Sequence, residues 1–211
     1  MANNLIFYTN PRSRGRIARW MLEEVGATYE TVVLDYASSM KGAEYLTVNP
    51  MGKVPAIVHG GKVVTECAAI CAYLADAFPG AGLAPPPGER ADYYRWLFFA
   101  AGPVEQAFTN KSMGVEPDDR QKRMAGYGCF EQTVDTLEAA VTGRDYVAGD
   151  AFTAADVYVG SQIGFMLQFG MLEARPAFAA YSERVYAREA FRRASALDDA
   201  LIAAAEATAA G

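Results

Sequence analysis

The sequence predicts an α/β N-terminal part followed by an all-α C-terminal part, and three observations carry that prediction. Two short apolar stretches flanking a helical stripe open the chain, the pattern of a strand–helix–strand unit. The one stretch dense in proline and glycine contains Pro79-Gly80, Gly82 and Pro85-Pro86-Pro87-Gly88, and it marks a linker over residues 79–89. Beyond it the apolar periodicities are helical and none is strand-like. The expected division is therefore a domain over 1–78, a linker over 79–89 and a helical domain over 90–211.

Element by element, residues 5–8 read as a buried strand. Residues 11–15 read as a loop feeding a helix on which Ile17, Trp20, Met21 and Val25 recur at helical spacing, with Gly26 as its stop. Residues 29–34 are a second strand, expected to lie parallel to the first because it returns after a helix. A short helix over 38–46 comes next. Residues 54–58 and 62–65 then flank Gly60-Gly61, the signature of a hairpin. A further helix carries the stripe Cys67, Ile70, Cys71, Leu74 and Phe78. The order β-α-β, short α, β-β-α is that of a thioredoxin-like domain. After the linker, residues 90–113, 118–142, 154–170, 177–189 and 195–208 predict a bundle of about five helices.

Composition narrows the function. A hydrophobic content of 52% suffices for packed cores. The net charge of −6 repels phosphate backbones and anionic lipid, so neither nucleic acid nor a membrane is an expected partner. Arg12, Arg14, Arg16 and Arg19 nevertheless concentrate near the N-terminus. The start Met1-Ala2-Asn3-Asn4 lacks the basic and apolar regions of a leader, so a cytoplasmic location is expected. Cys67, Cys71 and Cys129 form an odd set with no CxxC pair, which argues against a disulfide framework and a metal site.

Four segments, in order and spacing, resemble the cytosolic glutathione transferases over essentially the whole chain. Phe7-Tyr8-Thr9-Asn10-Pro11-Arg12-Ser13-Arg14-Gly15-Arg16 resembles the strand, loop and helix start of the serine-type branch. Asn49-Pro50-Met51-Gly52-Lys53-Val54-Pro55-Ala56 resembles the family's NPxGKVPxL segment, and Glu66-Cys67-Ala68-Ala69-Ile70 its ESxAI helix start, with Cys67 where the family has serine. Phe152-Thr153-Ala154-Ala155-Asp156 is similar to the C-terminal folding motif. The resemblance implies the glutathione transferase fold, glutathione as substrate without a metal, a homodimer, and transfer of the glutathione thiolate to small apolar electrophiles.

That chemistry can be assigned to residues. The resemblance makes Val54-Pro55 a cis pair whose Val54 backbone faces the cysteinyl part of the tripeptide like an added strand. Glu66 and Cys67 stand where a hairpin meets a helix N-terminus, a place suited to a carboxylate; Glu66 would take the γ-glutamyl ammonium group and the Cys67 amide its carboxylate. The resemblance places Lys53 and Lys41 at the glycyl carboxylate, and Arg12, in the loop beside the site, is a further candidate for binding glutathione. Arg16 and Arg19 read as structural or interfacial.

The nucleophile is a thiolate, whereas an ordinary thiol with a pKa of about 8.5 is mostly protonated at neutral pH. Lowering it by about two pH units requires roughly 2.7 kcal/mol. One hydroxyl donating to a thiolate supplies about 1.5–3 kcal/mol. Ser13 is the favoured donor and Tyr8 the alternative. No cysteine precedes Cys67, so thiol exchange has no nucleophile in this loop. Thr153 and Asp156 fit a structural capping box. Trp96, Phe99, Phe108, Met113 and Phe165 are candidates for a second-substrate pocket, and His59 reads as a surface residue beside a turn.

Overall fold

The computed structural model describes residues 4–210. Met1 to Asn3, on which the expectation about a leader rests, and Gly211 lie outside the described residues. The contacts divide the chain into two compact units, one joining the residues up to Ala81 with those from Ala187 onward, the other spanning Gly82–Tyr186.

The first unit is built on a four-stranded sheet of order β2-β1-β3-β4. β1 (Leu5–Thr9), α1 (Gly15–Glu24) and β2 (Glu30–Val33) form the expected crossover, with Phe7 opposite Thr31 in the parallel pair. A 3-10 turn (Ser39–Lys41) and α2 (Ala43–Val48) lead to β3 (Ala56–His59), which runs antiparallel to β1. β4 (Lys62–Val64) closes a hairpin through Gly60 and Gly61, both at positive φ, 56° and 80°. Two successive left-handed residues match the twist of the flanking strands, and glycine adopts them without a Cβ clash.

α3 (Cys67–Ala77) follows, with Cys67, Ile70, Cys71 and Leu74 buried. Strand alternation sorts β1: Leu5, Phe7 and Thr9 are buried on one face, while Ile6 and Tyr8 stand half-buried on the other. The same alternation corrects the reading of His59. Being two residues from buried Ile57, it turns to the α3 side and is 8% exposed. There its ring stacks on Phe78 at 5.6 Å and its Nδ1 lies 3.0 Å from the Tyr73 hydroxyl.

α10 (Glu189–Ala210) belongs by contact to this first unit, although its sequence position follows the helical bundle. Trp20 meets Phe191 edge to face at 5.0 Å, and Arg19 on α1 pairs with Asp198 on α10 in the interior.

The second unit is all-helical: α4 (Ala91–Phe99), α5 (Glu105–Ser112), α6 (Asp119–Met124), α7 (Phe130–Val141), α8 (Ala154–Gln168) and α9 (Pro176–Tyr186). The single helix expected over 90–113 is interrupted by a π-turn at Ala100–Val104. Pro103 lies inside that turn and cannot donate to the carbonyl four residues back. The helix expected over 118–142 is split between Met124 and Phe130, where Gly128 takes φ 70°. α8 is buried around most of its circumference from Ala154 to Ile163, as befits the central helix of the bundle.

Candidate functional site

Two Asn-Pro steps shape the loops of the first unit. Asn10 Oδ1 accepts the Arg12 amide at 3.0 Å, and Asn49 Oδ1 accepts the Met51 amide at 3.1 Å, so each asparagine closes its own turn. Each amide nitrogen makes a second brace: Asn10 Nδ2 donates to the Leu34 carbonyl beyond β2 at 2.8 Å, and Asn49 Nδ2 to the Lys53 carbonyl within its own loop at 2.8 Å. Sequence reasoning passed over both braces. The Asn-Pro dipeptides were the signal that would have found them.

Ser13 sits half-buried in the first of these loops. Its hydroxyl donates to the Asn10 carbonyl at 2.7 Å and accepts the Gly15 amide at 2.9 Å. That is the work of a helix-initiating serine; to donate to a ligand, the hydroxyl must swing its hydrogen away from Asn10. Gly15 permits the tight start of α1, since a Cβ there would lie 2.0 Å from Thr9 Oγ1. Tyr8 is on the other face of β1, packed with Val54 against Leu34, Met40, Tyr45 and Ala56, with its ring 5.3 Å from that of Tyr45.

The second loop carries Lys53 and Val54. The Val54–Pro55 peptide is cis. Lys41 Nζ donates to the Gly52 carbonyl at 2.6 Å, which brings Lys41 beside the Lys53 segment. The Tyr45 hydroxyl donates to the Lys53 carbonyl, and burial pushes its pKa up to about 12, so it remains a donor at neutral pH. Lys53 is exposed, and its ammonium group makes no ion pair among the described residues.

Glu66 is the one non-glycine residue at positive φ among the described residues, with φ 63° and ψ 115°. Its side chain is exposed and makes no capping bond to α3. Such a conformation costs about 1–3 kcal/mol and persists where the surroundings impose it. Cys67, buried at the first turn of α3, donates its Sγ–H to the Arg14 carbonyl at 3.6 Å. The N-terminus of α3 is thereby joined to the loop that carries Ser13.

Other expected residues lie elsewhere. Arg12 is exposed and paired with Glu206 on α10. Arg16 bonds Asp199 at 2.8 Å, and Arg19 is buried against Asp198 at 2.9 Å, its guanidinium 5.1 Å from the centre of the Phe7 ring.

In the second unit Trp96 and Phe108 are core residues, Phe108 packing edge to face on Phe130 at 4.8 Å, while Met113 is 63% exposed and Phe165 38% exposed. Phe99 borders a cleft of about 280 Å³ with Pro103, Tyr127, Gln132 and Thr136. The five aromatic and methionine candidates are thus divided between core and surface. Thr153 caps α8 through the Ala155 amide, and Asp156 returns to the Thr153 amide at 2.8 Å while also accepting from the Val147 amide and the Tyr181 hydroxyl. Among the described residues no group of three or more His, Cys, Asp or Glu side chains is placed to hold a metal ion.

A parallel β1–β2 pair, an antiparallel β1–β3–β4 run and a cis-proline ahead of β3 define a thioredoxin-like α/β unit, here accompanied by a helical one. Residues 3–76 match the family profile "Glutathione S-transferase, N-terminal domain" and residues 117–184 match "Glutathione S-transferase, C-terminal domain". Glutathione S-transferase GST-4.5 of Xanthomonas campestris is 30% identical over 159 residues, covering 72% of this chain and 78% of that protein. A glutathione transferase from Methylococcus capsulatus superposes with a TM-score of 0.77 at 30% identity, over 92% of this chain and 98% of the other. A sphingomonad glutathione S-transferase complexed with glutathione gives 0.75 at 32% identity, with the same two coverages. The chain belongs to the glutathione S-transferase family.

Proposed function

We propose that this protein binds glutathione in its sheet unit and transfers the thiolate to small hydrophobic electrophiles. The observation that carries the reading is Glu66: a strained backbone, an exposed carboxylate without a capping bond, and a place at the N-terminus of α3. In this reading the γ-glutamyl carboxylate rests on the first amides of α3, where the helix dipole favours negative charge, and Glu66 receives the neighbouring ammonium group. The cysteinyl backbone pairs with Val54 at the cis bond, and the glycyl carboxylate meets Lys53 and Lys41. Ser13 turns its hydroxyl from Asn10 to the thiolate, stabilising the reactive form. Its hydrogen bond worth of about 1.5–3 kcal/mol covers most of the required fall in thiol pKa. The resemblance supports a homodimer, and an odd set of three cysteines without a CxxC pair suits a reducing cytoplasm.

One observation favours a binder without turnover, namely that the Ser13 hydroxyl is already engaged on both sides. Calorimetric titration with glutathione, followed by assays with a panel of electrophiles, separates the two readings. Binding with turnover is expected, and Ser13→Ala should keep binding while turnover falls by about tenfold or more, at least 1.4 kcal/mol of transition-state stabilisation. Full activity in Ser13→Ala together with its loss in Tyr8→Phe would transfer the role to Tyr8. Binding with no product from any electrophile would establish the carrier.

A further inference from the structure

Three of the four clustered arginines answer to a pattern in the last helix. Along α1 and the loop before it, Arg12, Arg16 and Arg19 are followed by Glu23 and Glu24. Along α10 and the residue before it, Arg188 and Arg193 are followed by Asp198, Asp199 and Glu206. The pairs run in reverse order: Arg12 with Glu206, Arg16 with Asp199 at 2.8 Å, Arg19 with Asp198 at 2.9 Å, Glu23 with Arg193 at 3.2 Å and Glu24 with Arg188 at 2.7 Å. A parallel arrangement would set like charges against each other, so the pattern encodes an antiparallel register.

α1 carries no acid in its first turn and no base in its last. Its charges instead oppose the helix dipole at both ends, an arrangement that costs a few tenths of a kcal/mol or more per charge in an isolated helix. The ion pairs to the facing helix offset it. The central pair is buried and sets the register, and four of the five pairs join α1 itself to α10 or the residue just before it. The fifth, Arg12 with Glu206, falls on the loop, one residue from Ser13.

We propose that Glu206 is a positioning residue for the candidate site: through Arg12 it holds the loop that carries Ser13, so that Arg12 serves the last helix rather than the ligand. The proposal rests on the reading of this loop as part of a glutathione site. A loop held in its binding-competent form a smaller fraction of the time weakens apparent affinity by that same fraction. Because the pair is exposed, it can be broken without unfolding the unit, and the effect is bounded at about fivefold.

Hydrogen exchange at the Arg12, Ser13 and Gly15 amides, all hydrogen-bonded within the loop, reads the tether without ligand. Glutathione affinity by calorimetry reads it with ligand. In Glu206→Gln and in Arg12→Gln, exchange at these three amides should quicken and the glutathione Kd should rise about two- to fivefold, with the unfolding midpoint unchanged. The reciprocal Arg12→Glu/Glu206→Arg protein should return both readouts to the wild-type values. A swapped protein that binds as poorly as Arg12→Gln, with protected amides, would overturn the proposal, because Arg12 would then touch the ligand. Unchanged exchange in Glu206→Gln would overturn it as well. Wild-type protein that takes up no glutathione would defeat the glutathione reading alone, and the exchange comparison would still decide whether Glu206 holds the loop.

Discussion

Replacing Glu66 separates what its backbone costs from what its carboxylate does. Glycine at this position accepts φ 63° without a Cβ clash and should recover the strain of about 1–3 kcal/mol. Against this stands the larger conformational entropy glycine loses on folding, about 0.5–1 kcal/mol. Alanine keeps the strain, and both variants lose the same modest interaction of an acid with the N-terminus of α3, about 0.3–1 kcal/mol. Glu66→Gly should therefore be more stable than Glu66→Ala by up to about 2.5 kcal/mol, the strain relief less the entropy. For a chain of this size each kcal/mol moves the melting temperature by about 2–4 °C. Both variants should bind glutathione about ten- to a hundredfold more weakly, having lost one charge-assisted contact. Urea unfolding and calorimetric titration of the two proteins test this. A glycine variant less stable than the alanine variant by the full entropy difference of about 0.5–1 kcal/mol would show that no strain is held at Glu66. A stabilised glycine variant with undiminished affinity would remove the ligand as its reason.

Three further outcomes follow from the buried polar groups. Asp156 accepts from two backbone amides, the Tyr181 hydroxyl and the Thr153 hydroxyl. Asp156→Asn must turn its amino group towards at least one backbone N–H whichever way it flips, costing about 1–3 kcal/mol, whereas Asp156→Ala orphans both and should cost about 3–5 kcal/mol in urea unfolding. Asp198→Ala leaves the Arg19 charge buried and should cost about 3–5 kcal/mol, while the double change Arg19→Met/Asp198→Leu should lie much nearer the wild type in the same experiment. In alkali, burial holds the Tyr186 phenol at about 12 in the folded state against about 10 unfolded. The unfolded chain then binds fewer protons, so stability should fall as pH rises, by about 2 kcal/mol from this group at pH 12. Phenolate absorbance alongside urea midpoints checks it, and a slope unchanged in Tyr186→Phe would contradict the assignment.

The sheet unit was legible because each element carries a local signal. The hairpin is written in Gly60-Gly61 and the crossover in two apolar strands around an amphipathic helix; in the helical unit the α8 cap is written in Thr153 and Asp156. The helical part was less legible, since the helical pattern continues through Pro103 and through residues 125–129 while the backbone does not. His59 was misread because one residue beside a turn says nothing of which face a strand's last side chain takes. The positions of the second-substrate candidates depend on how helices pack, which periodicity alone does not report.

The division of the chain at its C-terminus shows a different reason for illegibility. Residues 189–210 form a helix on propensity alone, and nothing in their apolar pattern says which surface they cover. The information lies in the correspondence of two charge patterns about 170 residues apart, of which the one on α1 opposes its own helix dipole and is matched by the other. A residue placed against its local preference is the sign that a tertiary partner decides it. Glu66 obeys the same logic in its backbone, and the arginines near Ser13 obey it in their charge. Arg12, a candidate ligand contact by its place in the loop, pairs with Glu206, and that pairing is the constraint the charge pattern points to.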